Sequence, residues 1–131
     1  MKNLYVVCVI VVAVLTVALR LYRVHEPIAD WHSFRQVDTA SVAQIFVRDG
    51  IDILHPRYHD LSNIQSGRDN PRGYRMVEMP LYQASAALLV RAMPFLSVDL
   101  SLRLITIFAS SMTAVILALI ASALISPLAG F

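Results

Sequence analysis

Two long uncharged stretches of hydrophobic residues stand at either end of the 131-residue chain, separated by a polar region. The first runs from Leu4 to Leu19 and the last from Leu104 to Ile125. A third, shorter run has its uninterrupted core between Pro80 and Val90. About 20 apolar residues are needed to cross the hydrocarbon core of a bilayer. The pattern predicts three transmembrane helices, at about 4–22, 76–95 and 104–125.

Two of these spans have an alternative interpretation. The first could be a cleaved signal peptide, since Lys2 precedes the apolar run; its length and the missing small-residue cleavage site favour a retained anchor. The second could be a re-entrant or interfacial helix, because its apolar core is short and Arg91 interrupts it. Pro80 suits the first turn of a helix in either case.

The polar region predicts a long loop, 23–75, that carries a surface helix. Apolar residues between Asp38 and Asp49 recur at helical spacing, and Gly50 is a typical residue just beyond a helix end. We expect this helix to lie along the membrane surface. Residues 51–74 are rich in Pro, Gly, Asn, Asp and Ser, which is typical of turns and irregular structure. The predicted fold class is therefore an all-α membrane protein.

Basic residues near the ends of the spans predict the topology, because such residues favour the cytoplasmic side. Lys2 precedes the first span, and Arg91 and Arg103 flank the connection between the second and third. This predicts residues 21–79 outside the cytoplasm and the connection 94–100 inside. Arg20 and Arg23 argue for the opposite orientation.

Composition agrees with a membrane protein and excludes some other classes. The chain is 57% hydrophobic with a mean hydropathy of +0.63, above the roughly 45–50% apolar content of soluble domains. The net charge of +2 comes from interleaved acids and bases, so no basic patch predicts a nucleic-acid partner. The single cysteine, Cys8, rules out an internal disulfide and a cysteine-based zinc site.

Candidate chemistry lies just after the first span. Asp30 could cap a helix N-terminus or serve as a general base at the membrane surface. Asp30, His32 and Asp38 could together supply ligands to a divalent metal, although their spacing matches no specific ligand pattern. Arg35 and Arg75 could each hold a phosphate through paired N–H donors. The alternative is that the two arginines pair with Asp38 and Glu78.

Two stretches carry a resemblance to a known family: Asp30-Trp31-His32-Ser33-Phe34-Arg35-Gln36 followed by Asp38, and Glu78-x-Pro80-Leu81-Tyr82. They resemble the N-terminal part of bacterial GT-C membrane glycosyltransferases of the protein O-mannosyltransferase and aminoarabinose transferase group (family 39, RgtA/B/C/D-like). The segment 55–63 is also similar to a loop in a bacterial branch of this group.

The resemblance implies a multi-pass protein of the bacterial inner membrane that uses a polyprenyl-phosphate-linked sugar. It implies that Asp30 is the catalytic carboxylate. The expected substrate-binding residues are Arg35, Gln36, Asp38, Glu78 and Tyr82. Many members have two adjacent acidic residues where this chain has Asp30-Trp31, so Asp38 or Glu78 is the candidate for the second carboxylate.

The functional expectation is the N-terminal part of an inverting glycosyltransferase that transfers the sugar to an acceptor hydroxyl on the outer face. Family members have further transmembrane helices, so this part alone is expected to be inactive. The main alternative is a small non-catalytic membrane subunit or scaffold protein. A transporter fragment, with Arg91 or Glu78 lining a path, is a third and weaker alternative.

Overall fold

The computed structural model describes residues 2–22, 24–26, 33–62 and 67–124. These contain four helices, α1 (Lys2–Leu21), α2 (Ser33–Asp49), α3 (Leu81–Ala92) and α4 (Val98–Leu124), and no strand. The predicted all-α class is confirmed for this part of the chain. The protein divides into two compact units, one formed by Met1–His25 with Arg103–Phe131 and the other by Glu26–Leu102.

The first unit contains α1 and most of α4. Residues Val98–Ala121 of α4 are long and apolar enough to cross a membrane by length and composition, and Val6–Leu21 of α1 is a shorter apolar segment. Helix α4 begins six residues before the predicted span because Ser97 caps it: the Leu100 N–H donates to the Ser97 hydroxyl at 3.1 Å. One membrane-crossing helix is thus supported among the described residues, where the sequence predicts three.

The second unit is built on the parallel packing of α2 against α3. Val42 and Phe46 of α2 form a buried cluster with Ala84 and Ala87 of α3. The predicted apolar stripe of α2 is therefore confirmed as its buried face. The N-terminal ends of the two helices lie together, because Arg35 in the first turn of α2 pairs with Glu78, three residues before α3 begins.

Two donors bond to the Phe46 carbonyl near the C-terminal end of α2. The Gly50 N–H donates to the Phe46 carbonyl at 3.2 Å, with Gly50 at φ +112°, where residues with a side chain are strained. Arg91, near the end of α3, donates to the same carbonyl at 2.9 Å. The predicted helix end at Gly50 is confirmed, and α2 starts at Ser33, earlier than Asp38.

Helix α3 is shorter than the predicted span at 76–95. Its 12 residues extend about 18 Å at 1.5 Å per residue, whereas the hydrocarbon core is about 30 Å thick. Residues 76–79 are not helical, and Pro80 stands at the N-cap. Arg91, expected at the cytoplasmic end of a span, instead bonds to α2 within the same unit. Among the described residues, a membrane span over this segment is therefore not supported.

The connection from α2 to α3 is irregular where it is described, as predicted for 51–74, and one antiparallel bridge organises it. The bridge joins Arg57 to Tyr74. The Tyr58 N–H donates to the Gly73 carbonyl and the Arg75 N–H to the Pro56 carbonyl, both at 2.8 Å. This pairing fixes the backbone from which the Arg75 side chain extends.

Asn70 closes the turn that precedes Tyr74. The buried Asn70 side chain accepts from the Tyr74 N–H at 2.9 Å and donates to the Tyr74 carbonyl at 3.0 Å. The Gly73 N–H donates to the Asn70 carbonyl at 3.0 Å. A Cβ atom at Gly73 would lie 2.6 Å from the Tyr58 carbonyl oxygen, so only glycine fits this turn without a backbone shift.

We predict that Gly73→Ala destabilises the second unit more than Gly67→Ala. Both glycines have positive φ, so each alanine carries backbone strain of about 1 kcal/mol. Only Gly73 adds a steric clash, since nothing lies within 4 Å of a Cβ at Gly67. Denaturant unfolding in detergent micelles should show the larger loss for Gly73→Ala. Equal losses would mean that the turn rearranges freely.

Candidate functional site

A cleft of about 260 Å³ lies in the second unit, at the N-terminal ends of α2 and α3. Its walls come from one face of α2, the segment before α3 and the first turn of α3. The lining residues are Phe34, Arg35, Asp38, Thr39, Val42, Pro56, Arg75, Val77, Glu78, Pro80 and Gln83. Charged groups and apolar groups therefore share one opening.

Helical spacing explains the contribution of α2 to the cleft. Arg35, Asp38, Thr39 and Val42 lie at positions i, i+3, i+4 and i+7, which place them on one face of the helix. Val42 also belongs to the buried cluster with α3. The face therefore changes from apolar packing to charged groups towards the N-terminal end of the helix.

The inner ion pair of the cleft joins Asp38 to Arg75. The Arg75 guanidinium lies 2.7 Å from an Asp38 carboxylate oxygen, and the two side chains are 33% and 31% exposed. The same guanidinium lies over the Tyr58 ring at 5.3 Å from its centroid, a favourable cation–π arrangement. Arg75 is thus held from two sides and connects the 51–80 segment to α2.

The outer ion pair joins Arg35 to Glu78 at 2.8 Å. Its side chains are 77% and 46% exposed, so water screens their attraction and the pair contributes only about 0–1 kcal/mol. Arg35 makes this one hydrogen bond among the described residues, although a guanidinium has five N–H donors. Arg35 can therefore turn to an anionic ligand at low energetic cost.

Gln83 is the buried polar residue of the cleft wall. The residue is only 4% exposed, although it lines the cleft. Gln83 therefore adds a neutral polar group to a wall that otherwise carries two ion pairs and apolar side chains.

The structure brings together three of the predicted substrate-binding residues, Arg35, Asp38 and Glu78. The other two lie elsewhere. Gln36 is on α2 but does not line the cleft, and the Tyr82 hydroxyl donates to the Leu102 carbonyl at 2.7 Å. Tyr82 therefore joins the start of α3 to the first turns of α4. Asp30 and His32 lie outside the described residues.

The described residues do not form a metal site. No cluster of three or more His, Cys, Asp or Glu side chains occurs among them. Asp38, the one candidate ligand that is described, already faces the Arg75 guanidinium. Neutralisation of Asp38 by an arginine does not suit a cation ligand.

Two features of this unit are not among the sequence predictions. His59 bonds through Nδ1 to the Ser41 hydroxyl at 2.7 Å and anchors the loop to α2. The burial of Gln83 can be inferred from helical spacing, because the residue lies four positions before Ala87. Both are on the small-residue face of α3 that packs against α2. A polar residue on a packing face indicates a buried hydrogen-bonding group.

Comparison with known protein families, with curated proteins and with solved structures gave no match.

We predict that the two ion pairs differ in coupling energy. Double-mutant cycles with Asp38→Asn and Arg75→Gln should give about 1 kcal/mol, because that pair is partly shielded from water. Cycles with Glu78→Gln and Arg35→Gln should give a few tenths of a kcal/mol. The measurement is denaturant unfolding at low salt. The reverse order would show that Arg35 and Glu78 form the tighter pair.

Proposed function

We propose that the chain is the N-terminal part of an inverting membrane glycosyltransferase that moves a sugar from a polyprenyl-phosphate donor to an acceptor hydroxyl. One observation carries this proposal. Arg35 and Glu78 are 43 residues apart in sequence and belong to separate motifs, yet both line one cleft together with Asp38. Arg75, the second candidate for phosphate binding, lines it as well.

The proposed reaction is a single displacement at the anomeric carbon of the sugar. Asp30 accepts the proton of the acceptor hydroxyl while that oxygen attacks the anomeric carbon. The bond from this carbon to the phosphate oxygen breaks, and the lipid phosphate leaves with the electron pair. Asp30 is five residues from Arg35, so even a fully extended chain keeps the two within about 18 Å.

Arg35 is the proposed ligand of the departing phosphate. A guanidinium binds phosphate through two parallel N–H bonds, and it stabilises the negative charge that develops on the leaving group. Arg35 suits this role better than Arg75, because its pair with Glu78 is exposed whereas Arg75 is held by Asp38 and Tyr58. Phosphate binding would release Glu78 from Arg35.

The membrane part of the proposal is a two-span arrangement in the inner membrane. Apolar helices α1 and α4 precede and follow the second unit in sequence. If both cross the bilayer, residues 26–102 lie on one side, which we assign to the outer face. A lipid-linked donor keeps its phosphate at the membrane surface, where such a unit would meet it.

A non-catalytic membrane subunit is the second candidate function, and the ion pairs favour it. Both cleft arginines already have carboxylate partners, so a purely structural role accounts for all four charges. Under this alternative the cleft needs no ligand. The small residues of α4 that are not buried, such as Ala109 and Ala114, would instead form the surface that packs against another membrane protein.

We predict that Asp30→Asn in the full-length protein lowers sugar transfer by about 10²-fold or more, the usual scale for loss of a positioned base. Asparagine caps a helix as well as aspartate does, so membrane insertion and thermal stability should stay normal. The measurement is turnover of a polyprenyl-phosphate sugar by purified protein. Near-native turnover of Asp30→Asn would remove Asp30 as the base and move that role to Asp38.

Asp30→Ala and Glu78→Gln are the matched controls. Alanine removes both the base and a possible cap, so any capping role of Asp30 appears as an added stability loss of about 1 kcal/mol. Glu78→Gln frees Arg35 but leaves the proposed base intact. We expect it to reduce turnover far less than Asp30→Asn does.

The two-span topology gives a separate prediction. In a Cys8→Ser background, a membrane-impermeant maleimide should label Ser62→Cys and Ser97→Cys alike in intact cells, since both positions are exposed in the same unit. Lys2→Cys should react only after the membrane is opened. Labelling of position 62 with protection of position 97 would restore the three-span arrangement predicted from the sequence.

A further inference from the structure

Exposed apolar side chains are concentrated at the cleft, on the first turns of α2 and on the segment 76–81. Two of them line the cleft, and each of the other four is the direct neighbour in sequence of a residue that lines it. All are between 51% and 88% exposed. A concentrated apolar patch on a protein surface usually marks an interaction site. We call this set the apolar rim: Phe34, Val37, Met76, Val77, Met79 and Leu81.

The apolar rim is separate from the packing between α2 and α3. The apolar stripe of α2 is covered by α3, through Val42 and Phe46. That stripe is therefore not available to a membrane surface, which is where the sequence predicts α2 to lie. A membrane contact of the second unit has to come from another apolar surface, and the rim is such a surface.

The chain leaves the second unit at the same end as the apolar rim. The unit ends at Leu102, and the hydroxyl of Tyr82, next to Leu81 of the rim, donates to the Leu102 carbonyl at 2.7 Å. Leu102 belongs to the segment Val98–Ala121, which is long and apolar enough to cross a membrane. It lies only about 6 Å along the helix from the start of that segment. The surface of a bilayer crossed by α4 is therefore close to the rim.

We propose that the apolar rim docks on the lipid bilayer that α4 crosses. Its side chains insert at the boundary between headgroups and acyl chains, to a depth of about 5–10 Å. This inference goes beyond the proposed function. It requires α4 to cross the bilayer but does not require sugar transfer, so it holds equally for a non-catalytic membrane subunit.

The charges within the rim suit this depth. Arg35 follows Phe34 in sequence, and Glu78 lies between Val77 and Met79. Deep in the hydrocarbon this exposed ion pair would be costly. At the boundary, long charged side chains keep their ends among water and headgroups while the apolar neighbours reach the acyl chains. The cleft then opens at the level of the lipid phosphates, so a ligand can enter it from the membrane.

Environment-sensitive fluorophores on single cysteines test the docking. Full-length protein in a Cys8→Ser background is labelled at Phe34→Cys or at Met79→Cys and reconstituted into phosphatidylcholine vesicles. Neither substitution removes a core contact, because both side chains are exposed. Both labels should show blue-shifted emission, protection from iodide in the water and loss of emission to lipids with a spin label near the top of the acyl chain. Emission typical of water at both positions overturns the proposal.

Phe95→Cys is the matched control. Phe95 is 82% exposed, against 88% for Phe34, but it follows the C-terminal end of α3. Its label should be quenched by iodide and not by the spin-labelled lipids. Equal lipid quenching at positions 34 and 95 overturns the assignment, because burial of the label would then not depend on the rim.

A label at Met112→Cys, inside the apolar segment of α4, reports on the membrane helix itself. It should be quenched most by lipids with a spin label near the end of the acyl chain. A label at position 112 that remains in water also overturns the proposal, since the docking requires α4 to cross the bilayer.

Dilution separates the bilayer from a second copy of the chain as the occupant of the rim. Labels covered by lipid keep their emission when the amount of lipid per protein is raised. A return to the emission of water on such dilution assigns the rim to contacts between copies and overturns docking on the bilayer. Lipid quenching at positions 34 and 79 together with full activity of Asp30→Asn counts against the proposed base and leaves the docking supported.

Discussion

The close parallel packing of α2 against α3 is the constraint on which the second unit depends. The approach is possible because α3 presents alanine side chains, Ala84 and Ala87, to Val42 and Phe46. Parallel helices need a long return connection, and the 51–80 segment supplies it with its bridge between Arg57 and Tyr74. The cleft exists because this return brings Arg75 and Glu78 to the face of α2 that carries Arg35 and Asp38. A larger residue at Ala87 would therefore disturb the shape of the cleft, although Ala87 does not line it.

Local sequence signals predicted much of the fold. The apolar runs of α1 and α4, the buried stripe of α2 and its end at Gly50 all follow from hydrophobic spacing and backbone preference. The length of α3 does not, because Met76, Val77 and Met79 are apolar but lie exposed in a non-helical segment. Hydropathy alone does not separate an exposed apolar segment from the beginning of a membrane span. The sequence correctly predicts Pro80 at the start of a helix, but it does not predict the length of that helix.

The sequence predicts which residues belong to the candidate site, but it does not predict which of them contact each other. Arginines that either bind phosphate or pair with Asp38 and Glu78 were expected, and the structure assigns the pairs: Arg75 with Asp38 and Arg35 with Glu78. Partners 43 residues apart cannot be matched from one sequence, because the return path of the chain decides which groups meet.

The shared direction of α2 and α3 has an electrostatic consequence. The peptide dipoles of a helix sum to roughly half a positive charge at its N-terminal end, and two parallel helices add these fields where an antiparallel pair would cancel them. The side-chain charges of the cleft, Arg35 and Arg75 against Asp38 and Glu78, sum to zero. The backbone of two aligned helices nevertheless leaves that end of the unit attractive to an anion. At the opposite end, Arg91 bonds to the Phe46 carbonyl and offsets the negative pole.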